Sequence, residues 1–536
     1  MQLRIPDRVK IYTEFGNGEM AAAETLSFND VKVDMALQED GLNVWLTANE
    51  SPVRYVRLRW NFKDEEVRGE AVRVLGDEWE RNYGNMEWRG IATRRCMPWV
   101  CAVSNGSDSC PDTRGRLTEC FGVKVRPAAL CFWQYDVQGV TLWLDVRCGG
   151  SGVLLNGRKL DVCTVCFGEY RNMTAFHALK AYYRTLCDDA LTVDHKVYGS
   201  NNWYYAYGKT SQEEILSDSK VLTELCEGLE NRPYMVLDDG WQLNSCDAPW
   251  DKLRDTFTDM KALADQIRQM GARPGIWFRP LADHHRLVED MAEECRCKRD
   301  PLMLDPSHPR VLAYVKDTVN RLVCQWGYEL IKHDFSTYDA LGCWGNGRIA
   351  QLGDDGWCFW DRTKTSAEIM IQFYRTILEA AEGKALILGC NVIGHLAAGL
   401  THLNRTGDDT SGVDWERVRF YGVNTLAFRM MHHEAFYLVD ADCLGITESI
   451  PWELNRQWMQ ALYASGTPLF VSPKPADLTD LQREELRVAY ACNSVQKDVL
   501  EPLDWMENST PCVWRLNGQE IRFQWADENG PNSFAP

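Results

Sequence analysis

The sequence predicts an α/β protein built around a (β/α)₈ TIM barrel, with an antiparallel β-sandwich before the barrel and a small β element after it. Short alternating runs fill the chain up to about residue 185, a strand, loop and helix rhythm begins at about 195, and short strands return after about 492. A chain of 536 residues exceeds what one core usually supports. We expect three domains, at 1–190, 191–480 and 481–536.

The N-terminal part reads as β structure. Runs such as LNVWLTA and GVTLWLDVRC alternate apolar and polar residues, and turn-forming residues occur at 104–108 and 156–157. Several such strands at close spacing are typical of an antiparallel sandwich. The stretch 175–189 that follows has apolar residues three and four apart, which predicts a helix.

The central part alternates apolar strands with amphipathic helices, as a barrel of parallel strands requires. A doubly wound open sheet would produce a similar pattern, but no GxGxxG opens a helix after the first strand, which argues against its dinucleotide-binding form. The predicted strands are 197–204, 234–238, 273–278, 328–334, 386–391, 402–405, 435–439 and 468–471.

Charge and composition exclude several classes of partner. The formal net charge is −19, and both nucleic acid and anionic membranes need a basic face, so we expect neither as a partner. We find no uncharged apolar run of about 18 residues and no secretory h-region. The 20 cysteines are scattered, which favours buried free thiols in a reducing, cytoplasmic setting. The sequence predicts no particular oligomeric state.

No metal or cofactor is predicted. Cys163 and Cys166 form a C-x₂-C pair without a second pair or nearby histidines, which is a weak zinc pattern. The histidine pairs at 284–285 and 432–433 lack a third ligand at suitable spacing.

Charged residues stand where several predicted strands end. Asp238 and Asp239 close the second strand, Lys332 and Asp334 the fourth, and Arg405 and Asp409 the sixth. Any single aspartate could simply cap the next helix, but the active site of a barrel also lies at this edge. Two carboxylates from different strands are what acetal hydrolysis requires: one attacks the anomeric carbon, and the other protonates the leaving oxygen.

The segment from about 195 to 475 resembles the melibiase-type α-galactosidases of glycoside hydrolase family 36 and, more distantly, family 27. The resemblance is carried, in the family's order, by SNNWYYAYG, LDDGW, KALADQIRQMGARPGIW, ELIKHDF, ILGCN, LNRTGDDTS and SGTPLFVS. It implies a retaining hydrolase that cleaves terminal α-linked galactose, or a close galacto-configured sugar, from an oligosaccharide or glycoside. An α-N-acetylgalactosaminidase, a transglycosylase and a non-catalytic carbohydrate-binding barrel remain as alternatives.

The resemblance also implies roles for individual residues. Asp334 matches the nucleophile, and Asp409 matches the general acid/base. Burial and the charge of Asp334 should then raise the pKa of Asp409, as an acid requires. The sugar-contacting positions match Asp238, Asp239, Trp277, Lys332, Cys390, Arg405 and Trp203.

Three features near the predicted site depart from the family pattern or carry no assigned role. Arg279 stands where the family has no cation, so it either modifies the substrate choice or forms a buried salt bridge with a neighbouring aspartate. His333 should point away from Asp334, because alternate residues of a strand face opposite sides. The long stretch 336–364 contains Trp344, Trp357 and Trp360, and we expect it to form a wall of the pocket.

Overall fold

The computed structural model describes residues 1–21, 26–63, 72–345 and 355–526. Its N-terminal part contains two antiparallel sheets, one ordered β2-β1-β6-β12-β11-β8 and the other β3-β4-β5-β13-β10-β9-β7. Their strands are β1 (Arg8–Thr13), β2 (Gly16–Ala21), β3 (Ser27–Phe28), β4 (Val31–Gln38), β5 (Gly41–Thr47), β6 (Val53–Asn61), β7 (Arg73–Gly76), β8 (Met97–Pro98), β9 (Val100–Ser104), β10 (Leu117–Val123), β11 (Leu130–Asp136), β12 (Gly139–Asp145) and β13 (Leu160–Arg171).

Aromatic side chains join these two sheets. Trp60 on β6 contacts Phe167 on β13 with ring centroids 5.4 Å apart, and Trp133 on β11 contacts Phe121 on β10 at 6.2 Å. Each large ring removes much apolar surface from water, and edge-on or tilted ring pairs add to that stabilisation. The alternation seen in the sequence therefore places one face of each sheet in a shared core.

The central part forms a curled sheet of nine parallel strands, ordered β20-β19-β18-β17-β16-β15-β14-β22-β21. Its two edge strands, β20 and β21, are consecutive in the chain and separated only by residues 441–443. Each of the eight predicted strands overlaps an observed one, and six of them contain it entirely, whereas β21 was not predicted. The strands are β14 (Tyr198–Asn201), β15 (Tyr234–Leu237), β16 (Arg273–Phe278), β17 (Leu330–His333), β18 (Leu386–Gly389), β19 (Leu403–Arg405), β20 (Leu438–Asp440), β21 (Leu444–Ile446) and β22 (Leu469–Pro473).

Helices alternate with the parallel strands, and their ends follow the capping rules. Thr365 and Glu368 form a capping box that starts α7, and Gly271 ends α4 with φ 102°. The helices are α1 (Ala175–Arg184), α2 (Trp203–Ala206), α3 (Gln212–Leu225), α4 (Met260–Met270), α5 (Pro309–Asn320), α6 (Ser336–Leu341), α7 (Ser366–Ala380), α8 (Gly394–Ala397), α9 (Trp415–Arg417), α10 (Asn424–Phe428), α11 (Trp452–Ser465) and α12 (Asp480–Val495), with shorter helical turns at Glu293–Cys295, Arg321–Gln325, Val418–Val423 and Pro475–Asp477.

The C-terminal part begins with α12, which lies in the range expected for the small β region but packs on the parallel sheet. The Tyr490 hydroxyl donates to the Gly199 carbonyl at 3.0 Å, and Asn493 Nδ2 donates to the Thr467 carbonyl at 2.9 Å. A three-stranded antiparallel sheet follows, formed by β23 (Glu501–Pro502), β24 (Val513–Leu516) and β25 (Gln519–Arg522).

All 20 cysteines lie among the described residues, and none of them forms a disulfide bond. Within those residues, no helix has both the length and the apolar character needed to cross a membrane.

Candidate active site

A cavity opens at the carboxyl ends of the parallel strands and collects most of the residues that the sequence singled out. Eight of the nine predicted site residues line it, and Cys390 is buried directly after β18. The lining comprises Arg81, Asn201, Trp203, Tyr204, Asp238, Asp239, Cys246, Trp277, Lys332, Asp334, Phe335, Arg405, Asp409, Asp442 and Cys443.

The parallel sheet explains why residues so distant in sequence meet here. Parallel strands all end at one edge, so the residues that follow β15, β17, β19 and β20 converge. The chain turns abruptly at two of these ends, because Phe335 has φ 60° and Asp442 has φ 77°. A left-handed backbone is costly for a bulky residue such as Phe335, and such residues cluster at functional sites.

Asp334 is held by neutral donors. Trp277 Nε1 donates to Asp334 Oδ2 at 3.1 Å, and the backbone N–H of Phe335 donates to Oδ1 at 2.6 Å. These two contacts fix the carboxylate while leaving it half-buried at the cavity wall.

Asp409 is held by cations instead. Arg405 Nη2 lies 2.8 Å from Asp409 Oδ1 and also 2.5 Å from Asp442 Oδ2, while Arg81 Nη1 lies 3.4 Å from Asp409 Oδ1. Burial alone would raise the pKa of Asp409, but the attraction of Arg405 and Arg81 outweighs burial and lowers it. The expected upward shift of this pKa is therefore wrong, because both Arg405 and Arg81 contact Asp409 and the sequence did not indicate either contact.

Asp238 and Lys332 form a buried pair on the floor of the cavity. Lys332 Nζ and Asn201 Nδ2 both donate to Asp238 Oδ2, at 2.8 and 2.7 Å, and the Asp239 N–H donates to Oδ1 at 2.9 Å. Burial would lower the pKa of Lys332, but the charge of Asp238 raises it well above the usual range. Lys332 is therefore a fixed cation beside Asp334 and Cys390.

Asp239 is occupied by its own loop. Its carboxylate accepts hydrogen bonds from the Cys246 N–H at 2.8 Å, from the Cys246 thiol at 3.3 Å, and from the side chains of Gln242 and Ser245. A carboxylate has about four acceptor positions, and four donors fill them. Asp239 thus anchors the loop 240–246, which carries Cys246 into the cavity wall.

Arg279 forms the buried salt bridge that the sequence offered as one of two explanations. Its guanidinium binds Asp339 of α6 in a bidentate manner, at 2.9 and 2.6 Å, and lies over the Phe335 ring at 4.2 Å.

His333 points away from the cavity, as predicted, and contacts the rings of Phe373 and Tyr374 on α7. Burial lowers the pKa of His333 to about 3.

Sequence reasoning missed several lining residues, of which Arg81 and Asp442 carry charge. Arg81 comes from the segment after β7, in the antiparallel part of the molecule, and nothing in its local sequence indicates a contact with residues more than 300 positions later. Asp442 had a visible signal, because it stands just beyond the seventh parallel strand, β20, at the edge of the sheet where Asp334 follows β17. Tyr204, which lies in the sequence run SNNWYYAYG, donates a hydrogen bond from its hydroxyl to the Asp442 carboxylate.

The stretch 336–364 is only partly a loop. It begins with α6, residues 346–354 lie outside the described residues, and Trp344 stacks on Tyr338 with centroids 4.6 Å apart. Trp344 also lies under the Arg81 guanidinium at 5.0 Å, which places it beside the Asp409 side of the cavity.

The described residues contain no group of three or more potential metal ligands. The paired histidines have other partners: His284 and His285 contact Asp247, and His432 contacts Asp77 at 2.9 Å.

Similarity to known proteins rests on structure. No family model matches the chain, and no curated protein matches it. The α-galactosidase TtGalA of Thermus thermophilus, solved with p-nitrophenyl α-D-galactopyranoside, has 17% identity and a TM-score of 0.60, with 93% of this chain and 98% of that chain covered. The fold is that of the GH36 α-galactosidases.

Two further solved structures of GH36 α-galactosidases have a similar fold. The GH36 α-galactosidase AgaA of Geobacillus stearothermophilus has 14% identity and a TM-score of 0.60, over 99% of this chain and 83% of that chain. AgaB from the same organism has 15% identity and the same TM-score, with 94% of this chain and 78% of that chain covered.

Proposed function

We propose that the protein is a retaining glycoside hydrolase that removes terminal α-linked galactose, or a close galacto-configured sugar, by double displacement. The observation that carries this proposal is the single cavity that joins Asp334 and Asp409 with Asp238, Lys332, Arg405 and Trp277. Solved structures of the same fold hold p-nitrophenyl α-galactopyranoside and stachyose, which supports a glycoside as the substrate.

In the first step, a carboxylate oxygen of Asp334 attacks the anomeric carbon. The bond from that carbon to the aglycone oxygen breaks, and the proton of Asp409 moves to the departing oxygen. In the second step, water attacks the same carbon, its proton passes to Asp409, and the ester to Asp334 breaks. The neutral donors around Asp334 suit a nucleophile, because they fix its orientation without a direct ion pair.

The remaining residues would bind the sugar. Asp238 has an oxygen that receives only one hydrogen bond, so it is better placed than the filled Asp239 to accept from a sugar hydroxyl. Trp203 and Trp277 would contact the apolar face of the ring, and Arg405 and Lys332 would donate to hydroxyls. Cys390 is buried behind this surface and would act only through its neighbours.

For the whole chain we propose a closed (β/α)₈ barrel behind an N-terminal β-sandwich. Support for closure comes from β20 and β21, the two edges of the curled sheet, which are joined through residues 441–443. We also propose that the barrel domain extends to about residue 495 rather than ending at 480, and two hydrogen bonds from α12 to the residues around the parallel sheet support this.

The direct test is hydrolysis of a panel of p-nitrophenyl α-glycosides by the purified protein. We expect the α-galactoside to be cleaved faster than the α-glucoside, the α-mannoside and the N-acetyl-α-galactosaminide. Binding of galactose without turnover of any glycoside would instead support a carbohydrate-binding protein, and preference for the N-acetylated sugar would reassign the substrate.

A further inference from the structure

We propose that Arg81, supplied by the antiparallel part of the molecule, is a positioning residue that sets the ionisation and orientation of Asp409. The proposal rests on the proposed function for its catalytic meaning, but the effect of Arg81 on Asp409 can be measured without a substrate. Arg81 is almost fully buried and lies between two carboxylates, 3.1 Å from Asp408 Oδ1 and 3.4 Å from Asp409 Oδ1.

The segment that carries Arg81 is anchored on both sides. Before it, the Asp77 carboxylate contacts Arg429 at 3.1 Å and His432 at 2.9 Å, and the buried Glu80 accepts from the Gly345 N–H at 2.8 Å. After it, the Asn82 N–H donates to the Thr406 carbonyl at 2.9 Å.

The loop 406–409, which carries Asp408 and Asp409, is hydrogen-bonded to Asn82, the residue after Arg81. The Asp408 N–H donates to the Asn82 carbonyl at 2.9 Å, so the backbones of 82 and 406–408 pair like two strands. Asn82 also accepts from Thr425 at 2.8 Å through its side chain. These hydrogen bonds fix the backbone next to Arg81 relative to the loop that carries Asp409. The contact between Arg81 and Asp409 therefore differs from one made by a flexible surface side chain.

Aromatic rings limit where the guanidinium can go. It lies 5.0 Å from the Trp344 ring centre and 5.6 Å from that of Tyr83, and both contacts favour a cation. Held in this way, Arg81 stabilises the ionised form of Asp409 more than the protonated form.

Other charged and titratable groups also face Asp409, and the test must separate Arg81 from them. They come from strands β17 and β19, from the residues that follow β19 and β20, from α2 and the residue just after it, and from the end of α9. They are Lys332, Arg405, Asp442, Tyr204, Tyr207, Asp408 and Arg417.

The charges of Arg81 and Asp408 determine in which direction each substitution shifts the pKa of Asp409. An acid must be protonated to act, so activity that needs Asp409 as an acid falls as the pH rises through its pKa. Removing the charge of Arg81 raises that pKa and moves the alkaline limb of the activity profile to higher pH. Removing the charge of Asp408 removes a repulsion and leaves Arg81 to Asp409 alone, so the limb moves to lower pH.

The experiment measures kcat/KM against pH for methyl α-galactoside, whose poor leaving group needs protonation, because this profile reports the free enzyme. We expect Arg81→Gln to move the alkaline limb up by about one pH unit, Asp408→Asn to move it down, and Arg81→Lys to leave it near the parent position. Arg89→Gln is the matched control, since Arg89 follows on the same segment, has 53% side-chain exposure and pairs with Glu87. A uniform fall in rate with unmoved limbs would overturn the proposal.

A second readout does not need turnover. The ¹³C NMR signal of the Asp409 carboxyl group is assigned by its absence from the spectrum of Asp409→Asn. Its chemical shift is then measured against pH, without substrate, in the parent protein and in Arg81→Gln. A higher titration midpoint in the variant supports the proposal even if no glycoside is cleaved, and an equal or lower midpoint overturns it. Absence of activity in the parent protein would refute the proposed function alone.

Discussion

The two sides of the cavity hold their carboxylates by different means. On one side, Asp334 receives two neutral N–H groups, from Trp277 and Phe335, both within the curled parallel sheet and its strand ends. On the other side, Asp409 contacts two guanidinium groups, one from β19 and one from the antiparallel part of the molecule. Fixed orientation suits the attack proposed for Asp334, whereas the two guanidinium groups favour the ionised form of Asp409, which acts as the base in the second step of the proposed reaction.

The largest expected effect comes from removing the carboxylate with neutral surroundings. Asp334→Ala should lower kcat by at least about 10⁴-fold on every glycoside, because no covalent route remains. A good leaving group should not restore the rate. Steady-state rates on nitrophenyl and methyl α-galactosides check this, and a variant that keeps the nitrophenyl activity would move the nucleophile elsewhere.

Asp409→Ala should depend on the leaving group. The rate on methyl α-galactoside should fall by about 10²–10⁴-fold, the usual contribution of general acid/base catalysis. The glycosylation step on the nitrophenyl substrate needs no proton and should be spared, and azide should restore its turnover. Equal losses on both substrates without rescue by azide would reverse the roles of the two aspartates.

The Asp334 side should also depend on the ion pair behind it. Arg279 has 8% side-chain exposure and Asp339 has none, and the pair ties the end of β16 to α6. Arg279→Met should lower the free energy of unfolding by about 3–5 kcal/mol, because it leaves a buried carboxylate unpaired. In the exposed pair Lys261–Asp265, Lys261→Met should cost no more than about 1 kcal/mol. The free energy of unfolding of both variants is measured with a chemical denaturant. Similar losses of this free energy in the two variants would show that burial does not distinguish the two ion pairs.

The smallest effect concerns the hydrogen bond from Trp277. Trp277→Phe keeps an aromatic wall but removes the donor to Asp334, so kcat should fall by about 10- to 150-fold, corresponding to about 1.5–3 kcal/mol for a bond to a charged group. Trp360→Phe is the control, because Trp360 is 47% exposed and does not line the cavity. An unchanged kcat in Trp277→Phe would mean that the Phe335 N–H alone fixes Asp334.

Local sequence predicted the Asp334 side better than the Asp409 side, for a physical reason. Parallel strands align their carboxyl ends, so the strand pattern alone brings Asp238, Lys332, Asp334 and Arg405 together. The approach of Arg81 depends on how β7 and the segment after it pack on the central sheet, which no periodicity within that segment specifies. For the same reason, the four donors on Asp239 and the lowered pKa of Asp409 were not predicted.

The most direct measurement of the central claim is the anomeric configuration of the azide product, read by ¹H NMR. In Asp409→Ala, Asp334 still forms the β-linked ester, and azide then enters from the face that water would use, so the product should be α-galactosyl azide. In Asp334→Ala, azide takes the place of the missing carboxylate and displaces the aglycone once, so the product should be β-galactosyl azide. The same configuration from both variants, or the reverse assignment, would contradict the roles proposed for Asp334 and Asp409.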